Sequence, residues 1–150
     1  MHQRPSSRIL VIDNNHRLLL FHFVCKNDAL AGKDWWATPG GALEGGETFA
    51  EAAQRELFEE TGISASVSDA HVAEKEFVLQ LPYGEKVLAK ERFFVVRVGD
   101  QSLSKAHWTD EERRIMTGHK WWSADELLAT TEVVFPEDIV AILNQVDGER

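Results

Sequence analysis

The chain has 150 residues, 43% of them apolar, which suits one globular domain able to bury a core of its own. A formal charge of -9 disfavours a groove for a long nucleic acid, and no apolar run approaches the roughly 18 residues that a membrane-spanning helix needs. Met1 to Ser7 lacks the apolar centre of a signal peptide and Cys25 is the only cysteine, so the expectation is a single cytoplasmic domain, 1–150, without an internal disulfide or a CxxC site.

In chain order, Arg8 to Asp13 and Arg17 to Phe23 are β-branched and apolar runs around Asn14-Asn15, which predicts an N-terminal hairpin. In its second strand Leu18, Leu20 and His22 share one face, and Leu19, Phe21 and Phe23 the other. Residues 24–34 read as a loop, in which Cys25 is a small half-buried apolar residue. A short strand over Trp35 to Thr38 is then ended by Pro39-Gly40-Gly41. Thr48-x-x-Glu51 is a capping box and Gly62 a left-handed stop, so a helix is predicted over Phe49 to Thr61. His71 to Leu81 and Lys86 to Val98 predict a second hairpin around Pro82-Tyr83-Gly84-Glu85. Gly99 to Gly118 is polar, with a short helix at Asp110 to Met116, and Lys120 to Trp122 follows as a short strand. Ser123-x-x-Glu126 caps a helix that ends near Thr130, and Pro136 opens a last helix to Val146 with Ile139, Ile142, Leu143 and Val146 on its apolar face. Strands and helices interleave without a regular βαβ repeat, which fits a mixed sheet between helices.

The stretch that carries chemistry is Gly40 to Ile63, GGALEGGETFAEAAQRELFEETGI. With Glu56 as zero on a helical wheel, Glu59 falls at about -60° and Glu60 at about +40°. All three carboxylates therefore lie in one arc, beside a core-facing arc of Ala50, Ala53 and Leu57. Like charges at this spacing repel, and a hard divalent cation such as magnesium, which prefers oxygen ligands, offsets that repulsion. Arg55 is four residues from both Glu51 and Glu59 and can hold carboxylates from the side, with Glu47 close enough to join. Gly40 and Gly41 let the backbone approach a ligand, so that a main-chain carbonyl can join the metal's oxygen shell.

These residues resemble the Nudix (MutT-like) signature: a glycine, five residues, Glu, seven residues, then Arg-Glu-aliphatic-x-Glu-Glu-x-Gly-aliphatic. Here the positions are Gly41, Glu47, Arg55, Glu56, Leu57, Glu59, Glu60, Gly62 and Ile63, with no departure. The resemblance implies an α/β fold, an α-β-α sandwich with a mixed sheet, and magnesium, or manganese, held by the signature glutamates. Carried over by position, Glu56 and Glu60 are the side-chain ligands, Glu59 a further ligand or the water-activating base, and the Gly40 carbonyl a main-chain ligand. Arg55 supports the site electrostatically, while Glu47 and Gly62 are structural. The implied reaction is cleavage of a diphosphate bond in a nucleoside diphosphate derivative or other small phosphorylated metabolite, by water that a glutamate deprotonates. A non-catalytic nucleotide-sensing module and a diphosphate isomerase are the rival readings. A homodimer is common among such proteins.

Substrate choice is barely legible. The SQPWPFP-like array of NADH hydrolases, the CoA-type motif and the proline that many ADP-ribose hydrolases carry about fifteen residues after the box are all missing. Where relatives place an arginine in the second strand, for phosphate, this chain has His22, which with Gly41 is the candidate substrate contact. Trp35-Trp36 and Trp121-Trp122 each send adjacent side chains to opposite faces, so one of each pair belongs to the core. The resemblance also places a loop carboxylate over the site, and of Glu111 and Glu112 the preferred candidate is Glu112.

Overall fold

In the computed structural model, which describes residues 1–24, 32–81, 83–99 and 102–148, the apolar run that ends at Ile12 becomes the centre of the sheet. Cys25 and Pro82 lie outside the described residues. The first half comprises β1 (Gln3–Ile12), β2 (Leu18–Val24), β3 (Asp34–Ala37), β4 (Gly40–Ala42) and α1 (Phe49–Thr61). The second comprises β5 (Ala73–Gln80), β6 (Lys86–Arg97), α2 (Asp110–Ile115), β7 (Met116–Trp122), α3 (Ala124–Ala129), β8 (Val134–Phe135) and α4 (Ile139–Gly148).

The strands form one mixed sheet in the order β5-β6-β1-β2-β3-β8, with β4 added to β1 and β7 to β2. The expected N-terminal hairpin survives only at its tip, where Ile12 pairs with Leu18 across a turn that the Asp13 carboxylate fastens by accepting the N–H groups of Asn15 and Arg17. A strand has two edges, and elsewhere both are taken. β1 runs parallel to β6, from Gln3 opposite Leu88 to Ile12 opposite Arg97, and antiparallel to β4. β2 lies between β3 and β7. The sheet therefore divides into two wings that share the corner at Ile12 and Leu18.

Each face of the sheet carries a helix layer, as the α-β-α expectation requires. Ile9, Val11, Leu19, Phe21, Phe94 and Val96 pack with Ala50, Ala53 and Leu57 of α1, the three positions that the wheel assigned to burial. Leu10, Ile12, Leu18, Leu20 and Phe93 pack with Leu127 of α3 and with Ile139, Ile142, Leu143 and Val146 of α4. β1 is buried on both faces, which explains why RILVI shows no alternation. Trp122 is 3% exposed in the second layer, and Trp36 packs against the same layer. Trp35 stacks on Phe23 and Trp121 packs against the α1 layer, so each tryptophan pair divides between the faces.

The last helix begins at Ile139 rather than at Pro136, because Pro136 follows the two-residue strand β8, which pairs parallel to β3. Among the described residues no helix is long and apolar enough to cross a membrane.

Candidate metal and phosphate site

The site begins with two glycines that work through the side chains they lack. At Gly40 φ is +150°, and a Cβ there would sit 2.1 Å from the Ser7 carbonyl oxygen. Only glycine lets β4 lie this close to β1. Its amide donates to Glu60 Oε1 at 2.7 Å. At Gly41 a Cβ would lie 2.5 Å from Glu56 Oε1, so the missing side chain is the space that the Glu56 carboxylate occupies. Gly40 and Gly41, read from the sequence as the end of a strand and a place of close backbone approach, open a strand of their own that touches Glu56 and Glu60.

Helix α1 is fixed at both ends by local chemistry. Thr48 and Glu51 complete the capping box, and Gly62, at φ +78°, donates its N–H to the Phe58 carbonyl. Ser7 Oγ donates to the Phe49 carbonyl at 2.6 Å and ties the helix start to β1. With the helix so held, Glu56 and Glu60 face inward. Glu60 is only 3% exposed, and burial, reinforced by the nearby Glu56 and Glu112 carboxylates, raises its pKa well above the ordinary value. Burial also raises Glu56, against the opposing pull of its hydrogen bond from Arg55.

The third carboxylate arrives from the distant segment. Thr109 caps α2, and Glu112 closes a capping box by accepting from the Thr109 N–H at 2.9 Å. The spacing Thr109-x-x-Glu112 is itself a capping-box signal in the sequence. The segment is anchored to the end of α1: Trp108 Nε1 donates to the Glu60 carbonyl at 2.8 Å, and the Ser104 N–H donates to the Thr61 carbonyl at 2.9 Å. As a result, carboxylate oxygens of Glu56, Glu60 and Glu112 all lie within 4.8 Å of one another. Among the described residues no cationic side chain pairs with Glu60 or Glu112. Three crowded carboxylates, two of them buried against charge, form a hard oxygen donor set of the kind that suits Mg²⁺ or Mn²⁺, so the residues present fit such an ion.

Arg55 organises the flank. Its Nε and Nη2 clasp the two oxygens of Glu47 at 2.7 and 3.0 Å, Nη2 also donates to the Ala42 carbonyl at 3.0 Å, and Nη1 donates to Glu56 Oε1 at 2.9 Å. The hydrogen bond to Glu47 raises Arg55 further above its ordinary pKa and lowers that of Glu47. Glu51, expected as a partner on spacing alone, instead accepts from the Thr48 N–H in the capping box. Capping takes that side chain away from the guanidinium. Glu59 is contacted by Arg55 at 3.4 Å, is one-third exposed, and stands outside the close group of three.

His22 is not brought to this group. It follows Leu18 and Leu20 onto the opposite face of the sheet, where it stacks on Trp36 at 4.7 Å, with Nε2 2.9 Å from Asp34 Oδ2 and Nδ1 3.0 Å from Thr117 Oγ1. Gly62 serves as the helix stop and leaves room for Ser104, whose Cβ would be 2.9 Å from a Cβ at that position. Sequence reasoning passed over Trp108 and the part-buried pair Arg8–Glu91, in which Arg8 Nε donates to Glu91 Oε2 at 2.9 Å. The available signal was a charged residue set in each of two strands that pair through the core.

Known proteins resemble this chain in sequence and in fold. The sequence profile of the NUDIX domain matches residues 2–142. The phosphatase NudJ of Escherichia coli (strain K12) is 54% identical over 43 residues, and the same figures hold for NudJ of Shigella flexneri. That match spans 29% of this chain and 28% of the relative's length. The crystal structure of a MutT protein from Methanosarcina mazei Go1 superposes with a TM-score of 0.66 at 24% identity, over 99% of this chain and 95% of that one. The NUDIX domain of Shewanella oneidensis NrtR, solved in complex with ADP ribose, gives 0.66 at 14% identity, over 99% and 89%. At these identities the two structures speak for the fold.

Proposed function

From the premise that the chain belongs to the NUDIX family, we propose that residues 1–150 act as one cytoplasmic, divalent-cation-dependent hydrolase that splits a diphosphate bond in a small phosphorylated metabolite, a nucleoside diphosphate derivative being the foremost class. The observation that carries this reading is the convergence of Glu56, Glu60 and Glu112 beside the two glycines. A magnesium or manganese ion held by Glu56 and Glu60, with the Gly40 carbonyl as a further ligand, would supply positive charge to the phosphoryl oxygens on which negative charge grows during cleavage.

The protein's own groups do the rest. Glu112 stands across from the α1 carboxylates on a capped turn, positioned to take the proton of the attacking water; Glu59, more exposed and loosely bonded to Arg55, is the alternative base. Arg55 fixes the direction of the Glu56 carboxylate and, through Ala42, the course of β4. Gly41 leaves the space in which that carboxylate and a substrate phosphate meet. His22, stacked on Trp36 on the face of the sheet turned away from α1, is kept in the proposal as a substrate contact beyond the carboxylate group.

A panel of nucleoside di- and triphosphates, dinucleoside polyphosphates and nucleotide sugars, with the products separated by ion-exchange chromatography, tests the reading. Activity should vanish in EDTA, and Glu60→Gln should lower kcat by about a hundredfold or more with the fold intact. Glu112→Gln should lower kcat with little change in KM. Turnover undiminished in EDTA, or near-parental activity of Glu60→Gln, would overturn the reading.

A further inference from the structure

On the face of the sheet turned away from α1, β1 presents Arg4, Ser6 and Arg8 before it turns apolar at Leu10. The parallel register sets these residues opposite Ala89, Glu91 and Phe93 of β6. This row is no solvated stripe, because Ser6 and Ala89 are fully buried and Glu91 is 7% exposed. It holds two guanidinium groups and one carboxylate. Arg8 takes the carboxylate, donating from Nε to Glu91 at 2.9 Å and from Nη1 to the Thr38 carbonyl at 3.3 Å. Arg4 is left with a single neutral partner, donating from Nη1 to Ser6 Oγ at 2.9 Å, and among the described residues no carboxylate lies within salt-bridge distance of it.

A half-buried cation whose one hydrogen-bond partner is a hydroxyl loses hydration without a carboxylate in contact to replace it. Burial and the neighbouring Arg8 lower the Arg4 pKa, as such an environment must. The row also adjoins the carboxylate group. Arg8 pairs with Gly40, whose amide holds Glu60, Ser6 pairs with Ala42, and the Leu43 N–H donates to the Pro5 carbonyl. The thin, glycine-bearing strand β4 is what lies between them.

We propose that Arg4 is an anion-binding residue of the substrate site, taking a phosphoryl group other than the two joined by the bond to be cleaved. The assignment rests on the hydrolase reading above and sharpens its substrate class to molecules with a further anionic group, such as a nucleoside triphosphate, over diphosphates with a neutral remainder. Arg4 suits this task because its planar donor fork can meet two phosphoryl oxygens at once, whereas the fork of Arg8 is already engaged by Glu91 and Thr38.

The test uses the full chain and two probes, inorganic tripolyphosphate and pyrophosphate, titrated calorimetrically with saturating Mn²⁺ and again in EDTA. Arg4→Gln should weaken tripolyphosphate binding tenfold or more while pyrophosphate binding and Mn²⁺ affinity stay within twofold of the parent, and Arg4→Lys should recover part of the loss. An unchanged tripolyphosphate affinity, or an equal loss for both probes, overturns the assignment. The EDTA titration keeps the two readings apart. If Mn²⁺ does not bind the parent, the metal site fails, whereas loss of metal-free tripolyphosphate binding on Arg4→Gln still upholds Arg4.

Discussion

Replacing Gly41 by alanine is the sharpest probe of the site. The added Cβ would lie 2.5 Å from Glu56 Oε1, 2.8 Å from its Cδ and 3.1 Å from Oε2. Unstrained contacts of this kind sit near about 3.5 Å, so the carboxylate must withdraw by about 1 Å. Withdrawal lengthens the 2.9 Å bond from Arg55 and takes the carboxylate away from Glu60 and Glu112. The backbone itself tolerates alanine, since Gly41 is not among the glycines with positive φ. Two opposing terms set the change in stability: overpacking costs about 1–3 kcal/mol and the less flexible unfolded chain returns about 0.4–1 kcal/mol. The net is a loss below about 2.6 kcal/mol, or roughly 5–10 °C in Tm. Function should suffer far more, because a misplacement of about 1 Å in a reacting array costs on the order of a hundredfold in rate. The assay compares kcat/KM, Mn²⁺ affinity and Tm for Gly41→Ala with those for Gly45→Ala, where a Cβ meets nothing within 4 Å. If Gly41→Ala keeps activity and Mn²⁺ affinity within threefold of the parent, the close approach of Glu56 to β4 is not what builds the site.

Two further outcomes follow from the charges. Arg55→Lys keeps the charge but loses the fork that clasps Glu47 while reaching Ala42 and Glu56, and should destabilise the protein by about 2 kcal/mol, or about 4–8 °C in Tm, with lowered activity; a variant that melts with the parent would contradict this. The raised pKa of Glu60 means that above the ordinary value of 4.5 the native chain binds more protons than the unfolded one, so its contribution to metal-free stability is complete below about pH 4.5 and is lost as pH rises through the native value. In EDTA the parent should therefore lose stability relative to Glu60→Gln between about pH 4.5 and neutrality, and excess Mg²⁺ should favour the parent at neutral pH; scanning calorimetry that shows no relative change would refute the burial of charge at Glu60.

The parts of this protein legible in its sequence are those set by neighbours within a few residues. The bounds of α1 follow from Thr48, Glu51 and Gly62, and the shared arc of Glu56 and Glu60 follows from helical geometry, so both could be read directly and match the structure. The three helix-facing positions Ala50, Ala53 and Leu57 were equally readable, because periodicity alone decides which side of a helix is apolar. Strand pairing is different, since any apolar run can offer either edge to any other. That β1 lies parallel to β6, leaving the hairpin with β2 only a corner, is decided by which strands the two helix layers bring together. The same holds for the site's remaining members. Spacing put Glu51 beside Arg55, but the cap claimed it, and spacing left Glu59 equal to Glu56, but packing left it only partly buried. Glu112 stands 52 positions after Glu60, and only the anchoring of Trp108 and Ser104 on the end of α1 brings it there. His22 falls on the face shared with Leu18 and Leu20, as strand alternation predicts, and the fold adds its stacking on Trp36 and its contacts with Asp34 and Thr117. Short-range capping and periodicity are enough to set the chemistry of α1. Which distant carboxylate meets it, and which arginine of β1 is left uncompensated beside it, only tertiary packing could decide, because those contacts join segments that share no local geometry.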